Sequence, residues 1–215
     1  MISNPKQRRI FARIVVYSFL VVLPFVVLIR GSIYLHEAYF FYPYPAIFGG
    51  FMLTAVLLAF YLIFLFGTQV HFVRNRMSVI LVVLLSYGIY AMVYISGANV
   101  KSTEIASEYS SLHPILRLGI TTLILLDKDL IVTDADRVYE DYGRMGLSAK
   151  KHSLHYRQQN GFVHAVDIRT NGRSEIRNFL LKIYFRGMGF RVLRHDGSGD
   201  HLHVSLVSHD RPFAQ

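Results

Sequence analysis

Ten histidines are present, and seven of them fall between residues 152 and 209. The chain has no cysteine, which excludes disulfide frameworks, thiolate catalysis and Cys-ligated zinc, so any metal must be held by imidazole and carboxylate. In the segment DHLHV, His201 and His203 are two apart on an expected strand, which turns both rings to the same face. Asp200 lies three residues before His203, within reach of a water on the same ion. Upstream, SLHY places His155 just before an expected hairpin, and AVDI places Asp167 on the returning strand. Two imidazoles and one carboxylate are a three-protein-ligand set for a catalytic zinc, leaving a fourth position for water. The metal lowers the pKa of that water to about 7, and a nearby carboxylate can take its proton and pass it to a leaving amine. Scattered surface histidines would give the same density without a site.

The order S-x-H, then A-x-D, then a glycine-rich turn and D-x-x-H inside H-x-H, resembles the LAS group of zinc peptidases. That group comprises D-Ala-D-Ala carboxypeptidases and dipeptidases, L-alanyl-D-glutamate endolysins and the related hedgehog signalling domain. The resemblance covers about Pro114 to Leu206. It implies that His155, Asp167 and His203 are zinc ligands, that Asp200 is the general base and acid, and that His201 lines the site and helps stabilise the oxyanion. It also places Arg137, in IVTDADR, where the family has an arginine that holds a substrate carboxylate or carbonyl. The implied substrate is a peptidoglycan stem peptide. The chain departs from the pattern in two places. His155 and Asp167 are twelve positions apart where seven is usual, an insertion around RQQNG that costs little in loop closure. Val163 stands where a glycine is usual, and TDADR lacks a Ser-Gly. His164 competes for the first ligand position, but its separation of three from Asp167 puts the two on opposite strand faces.

These residues need a scaffold, and the pattern after Pro114 predicts an α+β domain of about 100 residues, with helices on one side of a small antiparallel sheet. Residues 115–126 read as an apolar helix, 130–133 as a short buried strand and 137–145 as helix or loop. Residues 162–168 alternate as a strand, 173–187 form an amphipathic helix closed by the glycines of RGMGF, and 190–194 and 202–207 are strands. Ser153 is expected to cap or orient the hairpin that carries His155. The glycines at 187, 189, 197 and 199 make no phosphate loop, since no Gly-Lys-Ser/Thr follows. Lys150, Lys151 and Arg157 read as a solvated basic edge.

The first 97 residues are a different polymer. Residues 46–68 and 77–97 carry no charge and are long enough to cross the ~30 Å hydrocarbon layer, and 12–35 form a third span whose arginines sit near its ends. The division is a three-span anchor at 1–97, a linker at 98–113 and the peptidase-like domain at 114–215. His36 and His71 fall in expected loops, and no Asp, Glu or Lys lies within a span to mark an ion path. Gly49 and Gly50, with Ser86 and Gly88, would let the spans pack closely. Lys6, Arg8, Arg9 and Arg13 precede the first span and Arg74 and Arg76 separate the second from the third, whereas HEAYFFYPYP has no cation. That bias predicts a cytoplasmic N-terminus in the inner membrane, contact with the lipid bilayer, and a periplasmic or extracellular C-terminal domain. The formal charge of +9 rests mainly on the membrane half, with seven Lys/Arg against one acid before residue 100 and sixteen against thirteen after it. A folded domain with so small an excess does not suit nucleic acid.

Overall fold

The computed structural model describes residues 4–66, 70–144, 146, 148, 152–196 and 199–209. Lys150, Lys151, Gly197 and Ser198 lie outside the described residues. Three long helices come first: α1 (Pro5–Tyr39), α2 (Pro43–Phe66) and α3 (Val70–Val93). Each contains a stretch long and apolar enough to cross a membrane. Their outward side chains are apolar, Phe64 being 90% exposed, which fits contact with lipid. Glycine sets the α1–α2 contact. A Cβ on Gly50 would lie 2.6 Å from the Leu28 carbonyl oxygen, so that position requires the smallest residue, and one on Gly49 would displace the end of the Leu35 side chain.

Helix α1 runs beyond the apolar stretch, so His36 belongs to its last turn rather than to a loop. His71 likewise falls within α3, which begins at Val70 through the polar run that reads as a loop. The helix α3 ends at Val93, and its last carbonyls, which have no partner within the helix, are taken by the next domain: Arg117 Nη1 donates to Met92 O at 2.5 Å and Thr121 Oγ1 to Ala91 O at 3.0 Å.

Residues 98–113, which read as a linker, are tied to residues 128–132. Val100 pairs with Val132, the Lys101 amide donates to Val132 O at 2.9 Å, and the Asn99 amide nitrogen bonds both Lys128 O and Leu130 O. The short helix α4 (Thr103–Glu108) follows, capped by Ser102, and Leu112 is fully buried.

Helix α5 (Pro114–Ile124) starts with proline at its first position and is buried on every side through Leu123. It packs against α1, α2 and α3 on one side and against α7 (Glu175–Met188) on the other. Consequently one apolar cluster runs without a break from Leu28 and Ala91 in the membrane helices, through Leu116 and Ile120, to Val204 and Leu206.

The sheet comprises β1 (Val132–Asp134), β2 (Ala165–Arg169), β3 (Arg191–His195) and β4 (His201–Ser205), antiparallel throughout in the order β1-β2-β4-β3. Helix α6 (Tyr139–Arg144) follows β1, and α7 (Glu175–Met188) connects β2 to β3. Ser174 caps α7, and Gly189 closes it with a left-handed φ of 104° and bonds to Arg186 O and Phe185 O. Val166, Ile168, Leu202 and Val204 point into the core, which leaves Asp167, His201 and His203 on the other face. Strand β2 starts at Ala165 rather than 162, because Val163 bridges Leu112 and Arg157 outside the main ladder.

Candidate metal centre

Register fixes the first pair of donors. Asp167 on β2 stands directly opposite His203 on β4, and Arg169 opposite His201. The third donor arrives from the loop before β2: the His155 amide is accepted by Ser153 Oγ at 3.2 Å, and Ser153 Oγ is itself bound by the Tyr142 hydroxyl at 2.7 Å. Ser153 therefore orients the His155 segment, as its place in SLHY suggests.

The three side chains converge. His203 Nδ1 is 2.9 Å from Asp167 Oδ1, His155 Nε2 is 3.2 Å from His203 Nδ1, and His155 Nε2 is 3.3 Å from Asp167 Oδ1. Donors held around one zinc ion at ~2.0–2.1 Å in tetrahedral geometry lie about 3.3 Å apart, so these separations fit such an ion. The tautomer of His155 also fits. Its Nδ1 is 3.0 Å from Ala135 O, and because a carbonyl only accepts, Nδ1 carries the proton and Nε2 offers its lone pair to the cluster. His155 and Asp167 are both buried, and His203 is partly open. Burial alone would raise the Asp167 carboxyl, but the imidazoles of His155, His203 and His201, where protonated in the metal-free site, hold it well below the usual carboxylate range. It is ionised, as a ligand must be.

Arg137 is held within the domain by Nε and Nη2. Its Nη2 donates to Asp167 Oδ2 at 2.7 Å and its Nε to Asp134 Oδ1 at 2.9 Å, while its backbone amide donates to His155 O. It ties the carboxylate, β1 and the His155 loop together. Asp134, to which the motif gives no role, completes that tie and lies 3.8 Å from His155 Nδ1. The signal for it is the three-residue spacing to Arg137 in TDADR.

Asp200 is not brought to the cluster. Its two carboxylate oxygens accept from Arg194 Nε at 3.1 Å and Nη2 at 2.7 Å, and this guanidinium lowers its pKa. The reason is parity: continuing the alternation of β4 back by one residue turns Asp200 toward the Leu202 side, and Arg194 stands opposite Leu202 in the β3–β4 ladder. His201 does reach the site, with Nε2 at 3.6 Å from Asp167 Oδ2. His195, opposite His201 on β3, packs against it at a tilt of 31° with ring centres 4.9 Å apart and adds an imidazole that the motif did not include. His164 points away, toward His36 and His113, as its odd spacing from Asp167 requires.

No protein-family profile, curated protein or solved structure matches the chain.

Proposed function

We propose that the protein is a membrane-anchored zinc metallopeptidase that hydrolyses peptidoglycan stem peptides, with His155, Asp167 and His203 as the metal ligands. The observation that carries this reading is the convergence of those three donors, from a loop and two strands, to mutual separations of 2.9–3.3 Å. A zinc ion bound there supplies Lewis acidity toward water and toward the scissile carbonyl. Arg137 and Asp134 keep the Asp167 carboxylate aimed, and Ala135 O keeps the His155 proton on Nδ1. Proton transfer between the attacking water and the leaving amine falls to Asp200, which would have to leave Arg194 and turn to the His203 face of the sheet, while His201 would face the charge that develops on the carbonyl oxygen. The loop charges support a cytoplasmic N-terminus and a domain on the wall side of an inner membrane.

The bidentate hold of Arg194 on Asp200 favours a second reading, in which the same centre binds wall peptide or a protein without cutting it. Hydrolysis assays on the full chain in detergent micelles with purified muropeptides separate the two. The peptidase reading requires chelator-sensitive release of peptide fragments or D-Ala, lost in His203→Ala and in Asp200→Ala. Bound zinc with no turnover on any wall substrate supports the binding module, and an absence of both overturns the metal centre.

A further inference from the structure

A second group of imidazoles lies on the far side of β2. His36 comes from the last turn of α1, His113 from the N-cap of α5 and His164 from the residue before β2, and one nitrogen from each falls within 4.8 Å of the others. All three are buried, at 5%, 0% and 1% exposure. The ring centre of His113 is 4.7 Å from those of both His36 and His164. Nε2 of His36 and Nε2 of His113 have no hydrogen-bond partner, although buried imidazole nitrogens are ordinarily paired.

The tautomers set the donors. His36 Nδ1 lies 2.8 Å from Phe41 O and His164 Nδ1 lies 3.3 Å from Val207 O; carbonyls only accept, so both rings carry their proton on Nδ1 and present the Nε2 lone pair. A backbone carbonyl on one ring nitrogen and a lone pair on the other is the arrangement of metal-bound histidine. The His164 lone pair accepts from Asn160 Nδ2 at 2.9 Å, a contact from a partly exposed turn. His113 Nδ1 accepts a long 3.3 Å bond from the Ile115 amide, so coordination through Nε2 shifts the ring proton to Nδ1 and releases that bond. Moving the donors inward to about 3.3 Å spacing completes a three-imidazole zinc set. A cavity of about 330 Å³ bordered by His36, His164 and His209 leads to it, and the exposed His209 ring stands 5.9 Å from that of His36.

We propose that His36, His113 and His164 form a second, all-histidine site for a borderline divalent cation of the zinc class, which clasps the first membrane helix to the extramembranous domain. Neutral imidazoles without thiolate or carboxylate suit zinc, copper, nickel or cobalt and not magnesium or calcium. The site goes beyond the peptidase reading and shares no ligand with it.

The test is zinc stoichiometry of the full chain in detergent micelles, stripped with chelator, reloaded with zinc, desalted and measured by elemental analysis. Two equivalents are expected for the wild type, one for His36→Gln or His164→Gln, and one for His155→Ala/His203→Ala. A single equivalent that survives in His36→Gln and His164→Gln but is lost from His155→Ala/His203→Ala overturns the second site and leaves the first. The reverse pattern supports the second site and overturns the first, and no bound zinc in the wild type overturns both. If a variant unfolds by circular dichroism, cobalt titration of the wild type decides: saturation at two equivalents supports the second site, and saturation at one, with the d–d spectrum of a mixed nitrogen–carboxylate set, overturns it.

Discussion

Asp167 Oδ2 and Arg137 Nη2 are 2.7 Å apart, so the carboxylate that faces His155 and His203 with one oxygen is gripped through the other. Arg137 is thus a positioning residue for the candidate metal centre. Arg137→Ala is expected to weaken zinc binding at this site by about 10–100-fold, the usual effect of losing an outer-shell partner. Competition with a chromophoric chelator measures it. Arg137→Lys, which keeps the charge but not the fork to Asp134, should recover only part of the loss.

Asp127 closes a separate ion-pair group at the end of α5. Its oxygens accept from the buried Arg173 and, at 2.5 Å, from Arg177. Partial burial would raise its pKa, but the two guanidiniums outweigh that and leave it below the usual carboxylate value. A depressed carboxylate contributes stability that is fully present above its unfolded pKa, about 3.9, and is lost as pH falls through the lower folded value. Thermal melts followed by circular dichroism should therefore fall in midpoint below about pH 4. Asp127→Asn should remove that part of the slope and cost about 1–3 kcal/mol at neutral pH, because Arg173 loses its charged partner and keeps the Asp129 carbonyl.

Excising residues 98–215 is expected to give an aggregating fragment. The cut would expose the α5 face that packs on α1, α2 and α3, and leave Arg117 and Thr121 without the Met92 and Ala91 carbonyls. Size-exclusion chromatography with and without detergent checks this. A monodisperse, folded fragment would show that the contact with the membrane helices is dispensable.

Gly50→Ala should loosen α1 from α2. The added Cβ would meet the Leu28 backbone carbonyl at 2.6 Å, an atom that moves only with its helix. Overpacking of this kind costs about 1–3 kcal/mol. Unfolding in mixed micelles should show the loss, and Val56→Ala, on the exposed face of α2, is the control in which little change is expected.

Much of the scaffold was legible in the order of residues. Period-two spacing put His201 and His203 on one face, the Ser174 cap and Gly189 stop bounded α7, and charge-free runs marked the membrane helices. The facing of Asp167 and His203 was legible through the same parity. What could not be read locally depends on partners distant in the chain. The polar segment 98–113 is tied down by the Asn99 side chain and the Lys101 amide, which bond to carbonyls between residues 128 and 132, some 30 residues on. Asp200 is captured by Arg194 across a hairpin, and Arg137 meets Asp167 only once β1 pairs with β2. The His36 cluster joins three segments, and no short-range spacing announces it.

The seating of Arg117 and Thr121 on the end of α3 has a mechanical outcome. A domain hung on a slack tether samples a wide shell above the bilayer, whereas this one is bolted at the foot by two side chains and a continuous apolar seam. Its open sheet face keeps one height and one heading relative to the lipid, so whatever docks there must come within that fixed stand-off.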